Sequence, residues 1–236
     1  MEMPYRLAEA RNAMEALARD PDDTAQAIRA IGAMSGSSPE RCFKRFADSE
    51  GGARILREQR ELYDVLADMD RLGAMPEGSL GRAIHDFYTV EELSAAGLKG
   101  ASEEAAGEQG YFAGNDDRAR FARRLRELHD VFHVLTGYGR DMRGEIACLA
   151  FTFSQTKNTG IGYVALRVLR GAGWNSEMGK LIRQAYWRGR RARWLIDQNW
   201  EALLERPLDA LREELGVGPP PDYEPLRSAG APALAS

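Results

Sequence analysis

Leu128-His129-Asp130-Val131-Phe132-His133-Val134-Leu135-Thr136-Gly137 holds two of the three histidines in a chain of 236 residues, four positions apart with a carboxylate between them. It ends a run from Asp116 to Leu135 in which Phe121, Leu125, Leu128, Phe132 and Leu135 recur at helical spacing. At about 100° per residue these five side chains form a narrow apolar stripe, with His129 and His133 about 40° apart at its edge. Asp130 falls about 60° beyond His133. Two imidazoles at i and i+4 can reach one ion, and Asp130 can join them or orient them through a hydrogen bond.

Thr136-Gly137-Tyr138-Gly139-Arg140 turns the chain, with glycine suited to a helix C-terminus and Asp141 suited to cap the next helix. That helix, Asp141 to about Gln155, is expected to bury Met142, Ile146, Leu149 and Phe153, with Glu145 about 60° from this stripe. A short link makes the two helices antiparallel neighbours, so that two His, one Asp and one Glu can converge. Two readings stand at this point: a metal site, or boundary histidines hydrogen-bonded to carboxylates. The motif is not HExxH, because Asp130 replaces the glutamate that would act as general base. It is not a di-iron bundle either, which requires Glu-x-x-His on each of two helices. His85-Asp86 forms an HD pair, but three histidines are too few for a metal-dependent phosphohydrolase built on it.

The rest of the chain reads as helical scaffold. Helices are expected over Tyr5–Arg19, after the Asp20-Pro21-Asp22-Asp23-Thr24 stop, after the Ser38-Pro39 start, and from Arg54 to Leu72 beyond a Gly51-Gly52 break. A short helix over Arg82–Tyr88 follows the Met75–Gly81 turn, and Gly97–Gly110 reads as an exposed loop. After a Gly160-Ile161-Gly162 interruption comes an apolar helix to Leu169. One long helix is expected from Ser176 to about Leu204, whose Ala185, Gly189 and Ala192 admit a close neighbour. Pro207 opens a last helix, Leu208–Leu215, ended by Gly216. Eight to ten helices and no strand pair give an all-α fold: a single multi-helix domain over residues 1–217, in which one helical hairpin is the candidate for metal binding. Residues 218–236, rich in Pro, Ala and Ser, are expected to be a disordered tail.

Composition narrows the function. Hydrophobic residues make up 44% and charged residues 29%, which is globular. A net charge of −4 excludes a generally basic nucleic-acid binder. Cys42 and Cys148 are the only cysteines and lack CxxC spacing, so neither a disulfide framework nor a thiolate zinc site is expected. No signal-peptide pattern and no membrane-spanning apolar run is present. Arg183, Arg188, Arg190, Arg191 and Arg193 lie among Tyr186, Trp187 and Trp194. That mixture suits an anionic lipid surface or an anionic ligand, or else a solvated helix face with its aromatics in the core.

His129-Asp130-x-x-His133, eleven residues and Glu145 together resemble the signature of the ubiquinone (coenzyme Q) biosynthesis protein four family. The resemblance extends to Asp20–Thr24, Leu72–Gly81, Leu135-Thr136-Gly137, Gly144-Glu145 and Trp200-Glu201 through Leu215, covering about Ala8 to Val217. It implies an all-helical fold, a peripheral membrane habit and a divalent metal ion, zinc first with iron or manganese as alternatives. It carries the ligand roles onto His129, Asp130, His133 and Glu145. It also implies work on a polyprenylated quinone precursor, with removal of the C1 carboxyl group and its replacement by hydroxyl. Other ubiquinone-biosynthesis proteins are implied as partners, with a homo-oligomer open and no nucleic acid. In a bacterium the resemblance implies a cytoplasmic protein, peripheral on the inner membrane face. The alternatives are a non-catalytic prenyl-lipid-binding scaffold with a structural metal, and a divergent paralogue acting on another isoprenoid lipid. Two departures bear on the latter: Gln59 stands where a proline is expected after Glu58, and His85-Asp86 where another aromatic-containing pair is expected.

Overall fold

The computed structural model describes residues 4–20, 23–90, 114 and 116–226. Its regular structure is α-helical throughout, and the only β feature among the described residues is an isolated bridge between Ser79 and Pro207. The helices are α1 (Leu7–Arg19), α2 (Thr24–Met34), α3 (Ser38–Asp48), α4 (Glu50–Arg57), α5 (Leu62–Leu66), α6 (Met69–Gly73) and α7 (Leu80–Val90). After these come α8 (Asp117–Thr136), α9 (Met142–Thr156), α10 (Thr159–Ala172), α11 (Glu177–Arg191), α12 (Trp200–Leu203) and α13 (Leu208–Glu214). The expected loop over 97–110 lies outside the described residues.

The contacts divide the chain into two compact units. The first takes the described residues within Met1–Arg45, Tyr138–Arg193 and Pro221–Ala231. In it α1 packs on α2, α10 lies against both α2 and α9, and α9 runs along α11. Small side chains set these distances. A Cβ on Gly189 of α11 would overlap Ser154 Oγ of α9 and sit 2.9 Å from the Phe151 carbonyl oxygen. The close approach expected from Ala185 and Gly189 is therefore present, and α9 is its partner.

The second unit takes Phe46–Gly137 and Trp194–Pro220. Here α8 packs against α5, α7 and α13. Phe121, Leu128, Phe132 and Leu135 are buried as the stripe requires, but Leu125 is only half-buried. The burial is wider than the stripe, since every residue from Val131 to Thr136 is buried. The carbonyls at this helix end are met from within the protein: Arg212 Nε donates to the Leu135 carbonyl at 2.9 Å and Nη2 to that of Val134 at 3.0 Å. Gly137, at φ 74°, closes the helix with its amide on the His133 carbonyl.

Several helix boundaries differ from the sequence expectation. The break before α4 falls at Ser49, whose hydroxyl caps the helix through the Gly52 amide, so that Gly51 and Gly52 are helical. The expected Arg54–Leu72 helix is three pieces. Gln59 takes a left-handed φ of 52°, and Asp68 caps α6. That φ is one proline cannot adopt, which accounts for the missing proline there. The break near Gly160 lies instead at Lys157 (φ 56°) with Asn158 as cap. Gly160 is inside α10, where a Cβ would overlap the Ile31 backbone carbonyl.

The long helix from Ser176 stops at Arg191, because Gln155 Nε2 takes the carbonyls of Gly189 (2.6 Å) and Arg193 (3.2 Å). On α9 the expected stripe fails: Met142, Leu149 and Phe153 are half-buried while Ala147, Cys148 and Phe151 are fully covered. Within the expected tail, residues 221–226 are anchored chain. Tyr223 donates to Asp141 Oδ2 at 2.8 Å, and the Leu226 amide donates to Asp141 Oδ1 at 2.9 Å.

Arg124 is the most deeply buried charge among the described residues of the second unit. It is 2% exposed and donates to both carboxylate oxygens of Glu201 and to the Gln198 carbonyl. Burial acts to raise the Glu201 pKa, but the Arg124 hydrogen bonds and charge outweigh it and hold the carboxyl below its ordinary value. The pair therefore contributes stability at neutral pH that is lost as pH falls through the lowered Glu201 pKa. Arg124→Met is expected to cost about 3 kcal/mol by stranding Glu201. Denaturant melts at pH 7 and pH 4 should show the deficit shrinking in acid. Gly189→Ala is expected to cost about 1–3 kcal/mol, read as a thermal midpoint lower by about 2–4 °C per kcal/mol.

Candidate metal centre

The motif helix brings together the ring nitrogens of His129 and His133, two of the four expected ligands, whereas the Asp130 carboxylate is engaged by Tyr88 instead. His129, Asp130 and His133 lie in the last turns of α8, where burial fixes the His133 ring. His133 is 2% exposed and His129 is half-buried. Their Nε2 atoms stand 3.1 Å apart, with the rings nearly perpendicular at 85°. Two nitrogens on one tetrahedral zinc at about 2.0–2.1 Å sit about 3.3 Å from each other. The pair thus has the bite of two ligands of one ion, and the donor set fits a divalent metal. The same two atoms can also share a proton as a neutral N–H···N pair.

Two side chains that the sequence reading did not single out meet this motif, both from α7: Tyr88 at Asp130 and Phe87 at His133. Tyr88, 1% exposed, donates its hydroxyl to Asp130 Oδ2 at 3.1 Å. Burial, and then the Asp130 carboxylate, push the Tyr88 pKa far upward, so it remains a neutral donor at any physiological pH. Phe87 stacks on His133 with ring centroids 5.8 Å apart and an interplanar angle of 18°. The signal was faint, an aromatic pair 42 residues before Asp130 with no spacing rule linking them. The neighbouring His85 is not part of this arrangement: its Nδ1 lies 2.9 Å from Asp86 Oδ1, which also accepts from Arg82.

Glu145 is on α9, in the first compact unit. Asp141 caps that helix through the amides of Arg143 and Gly144, which sets the first turn where Glu145 stands. Arg140 Nε lies 3.5 Å from Glu145 Oε1. Cys148, three residues on and therefore on the same face, is a buried thiol.

Residues 6–221 match the family model described as coenzyme Q (ubiquinone) biosynthesis protein Coq4. The chain belongs to the Coq4 family. Among its relatives are the mouse ubiquinone biosynthesis protein COQ4 homolog, mitochondrial, 33% identical over 73% of this chain and 62% of its own length. Another is the mitochondrial ubiquinone biosynthesis protein coq4 of Botryotinia fuckeliana, 31% identical over 76% of this chain and 61% of its own. The chain thus spans about three-fifths of these relatives' length. A crystal structure from Nostoc punctiforme PCC 73102 shares the fold, with a TM-score of 0.60 and 19% identity, covering 92% of this chain and 100% of that one. The Coq4 assignment and the all-helical fold agree with the sequence reading.

His133→Ala is expected to abolish metal binding while leaving the helical circular dichroism largely intact. Tyr88→Phe is expected to weaken metal affinity about 10- to 100-fold, as loss of a bond that orients a ligand does. Metal stoichiometry by atomic emission and affinity by chelator competition check both. Unchanged stoichiometry in His133→Ala removes the ligand assignment.

Proposed function

We propose that the chain is a metal-dependent protein of ubiquinone biosynthesis that replaces the C1 carboxyl group of a polyprenylated benzenoid precursor by hydroxyl. The ion is held by His129, Asp130 and His133 of α8 and by Glu145 of α9. The observation that carries the reading is the 3.1 Å approach of the two Nε2 atoms beside an anchored carboxylate. Glu145 is added on the sequence signature alone, His129-Asp130-x-x-His133 followed after eleven residues by Glu145.

The chain's own residues do positioning work in this reading. Phe87 and the burial of α8 hold the His133 ring, and Tyr88 keeps its proton and so fixes one oxygen of Asp130. An ion bound there supplies a positive charge that polarises the substrate's carboxylate and phenolate oxygens. The net change, ring–CO2H to ring–OH with release of carbon dioxide, takes up one oxygen atom and removes two electrons from the substrate. With water supplying the oxygen atom, the two electrons and two protons pass to an oxidant of the dioxygen class, which leaves as hydrogen peroxide. Zinc cannot exchange electrons, so iron, or manganese, matches this chemistry better than zinc does, and His and carboxylate donors suit it.

A polyprenylated precursor resides in a membrane, so we place the working protein at a membrane surface, in a bacterium the inner face, beside other ubiquinone-biosynthesis proteins. None of the described helices is long and apolar enough to cross a membrane.

The competing reading is a non-catalytic scaffold that binds prenyl lipid around a structural ion. It is favoured by the use of Asp130 as a hydrogen-bond acceptor. Deleting the gene and extracting lipids separates the readings. The expected result is accumulation of a precursor that retains its ring carboxyl, restored to product by the parent chain and not by His133→Ala. A normal quinone profile after deletion rejects the pathway, and rescue by His133→Ala rejects a need for the ion in either reading, while a parent chain that restores product in cells but turns nothing over when purified selects the scaffold. Protein purified without oxygen and loaded with iron should turn over on admitting oxygen; full turnover with zinc and no oxidant overturns the redox assignment.

A further inference from the structure

We propose that the outer face of α11, with the Trp174 loop before it, docks onto an anionic lipid bilayer. Trp174 and Trp187 are 60% and 56% exposed, unusual for the largest side chain in a folded protein. Lys180, Arg183, Gln184, Trp187 and Arg191 stand at i, i+3, i+4, i+7 and i+11 and so occupy one side of α11. The Arg183 guanidinium carbon lies 4.3 Å over the Trp174 ring, tying the loop tryptophan to this same side. Trp187 is braced from behind: Tyr186 meets it edge-on at 5.5 Å and itself stacks on Phe153 of α9 at 5.9 Å. Both indoles are thus displayed on ordered supports.

Charge selects the occupant. Residues 159–191 carry seven basic side chains and one acidic one, Glu177, within a chain whose net charge is −4. Arg143 lies 3.0 Å from Glu177 and screens that single acid. Indoles ringed by arginine and lysine match the boundary of an anionic membrane, where the ring sits at headgroup level and the cations meet lipid phosphates. A neutral protein partner would leave Arg190 and Arg191 without counter-charge. Arg188 belongs to the interior instead: it is buried, with its guanidinium carbon 5.1 Å over the Tyr138 ring. The proposal deepens the functional reading by naming the surface on which a lipid-borne substrate is met. It rests on that reading for its purpose, and on α11 for its evidence.

The test is sedimentation of the full chain with vesicles of phosphatidylcholine alone or with phosphatidylglycerol, across a salt series, with quenching of tryptophan emission by brominated acyl chains. The parent is expected to bind the anionic vesicles, to lose binding as salt rises and to be quenched. Arg190→Gln and Arg191→Gln should each weaken binding about fivefold, the usual attraction per basic residue at such a surface. Trp174→Ala with Trp187→Ala should weaken it about tenfold and remove most of the quenching. All four positions are exposed, so unchanged circular dichroism is expected. His133→Ala should bind vesicles as the parent does, so a failed metal assignment leaves this measurement intact. Absence of parent binding, or double-alanine binding and quenching equal to the parent, overturns the proposal. So does a self-associating parent whose mass falls to a monomer in the double-alanine protein while vesicle binding stays unchanged.

Discussion

The second unit depends on ending a helix inside the protein. Val131 to Thr136 are buried on every side, and a helix terminus leaves carbonyls that must find donors. Water cannot supply them there. Arg212 of α13 supplies two through a single guanidinium, and the left-handed Gly137 supplies the closing amide. This arrangement lets His133 sit in dry surroundings, where ring orientation is set by packing, with the half-buried His129 beside it. A solvent-exposed helix end would satisfy its carbonyls more simply but would leave both imidazoles free to rotate.

The same unit shows how charge is managed when the apolar stripe of a helix is narrow. Arg120, Arg124 and Glu127 are buried on α8 alongside its leucines and phenylalanines. Arg124 is matched by Glu201, and Glu127 by Arg126 at 2.8 Å, although burial still raises the Glu127 pKa. α8 is therefore held by polar pairs over its middle turns and by apolar packing at its end. The histidine pair occupies the apolar part.

The sequence made the helical class, most helix positions and the pairing of His129 with His133 legible, because those rest on local periodicity and on the scarcity of histidine. It did not show Tyr88 and Phe87, which act from a helix more than forty residues away and belong to no spacing rule. Glycine was misread in two places. Gly51-Gly52 and Gly160–Gly162 look like helix breakers, yet they lie within helices, and Gly160 is there because a neighbouring backbone leaves no room for a Cβ. The actual breaks, at Gln59 and Lys157, use left-handed non-glycine residues that no composition rule flags. On α9 the periodicity misled because small and aromatic residues are buried nearly all round, so no single stripe exists to be found.

Asp141 does two jobs with one carboxylate. It caps the helix that carries Glu145, and it receives Tyr223 and the Leu226 amide from the proline-rich end of the described chain. Tyr223 in turn accepts from the Gly139 amide. Anyone shortening the protein at Val217 to remove a featureless extension would therefore be editing the first turn of α9. A fusion partner placed close behind Leu226 would pull on the same carboxylate. What looks like dispensable trailing sequence is a strap on the helix proposed to deliver the fourth ligand.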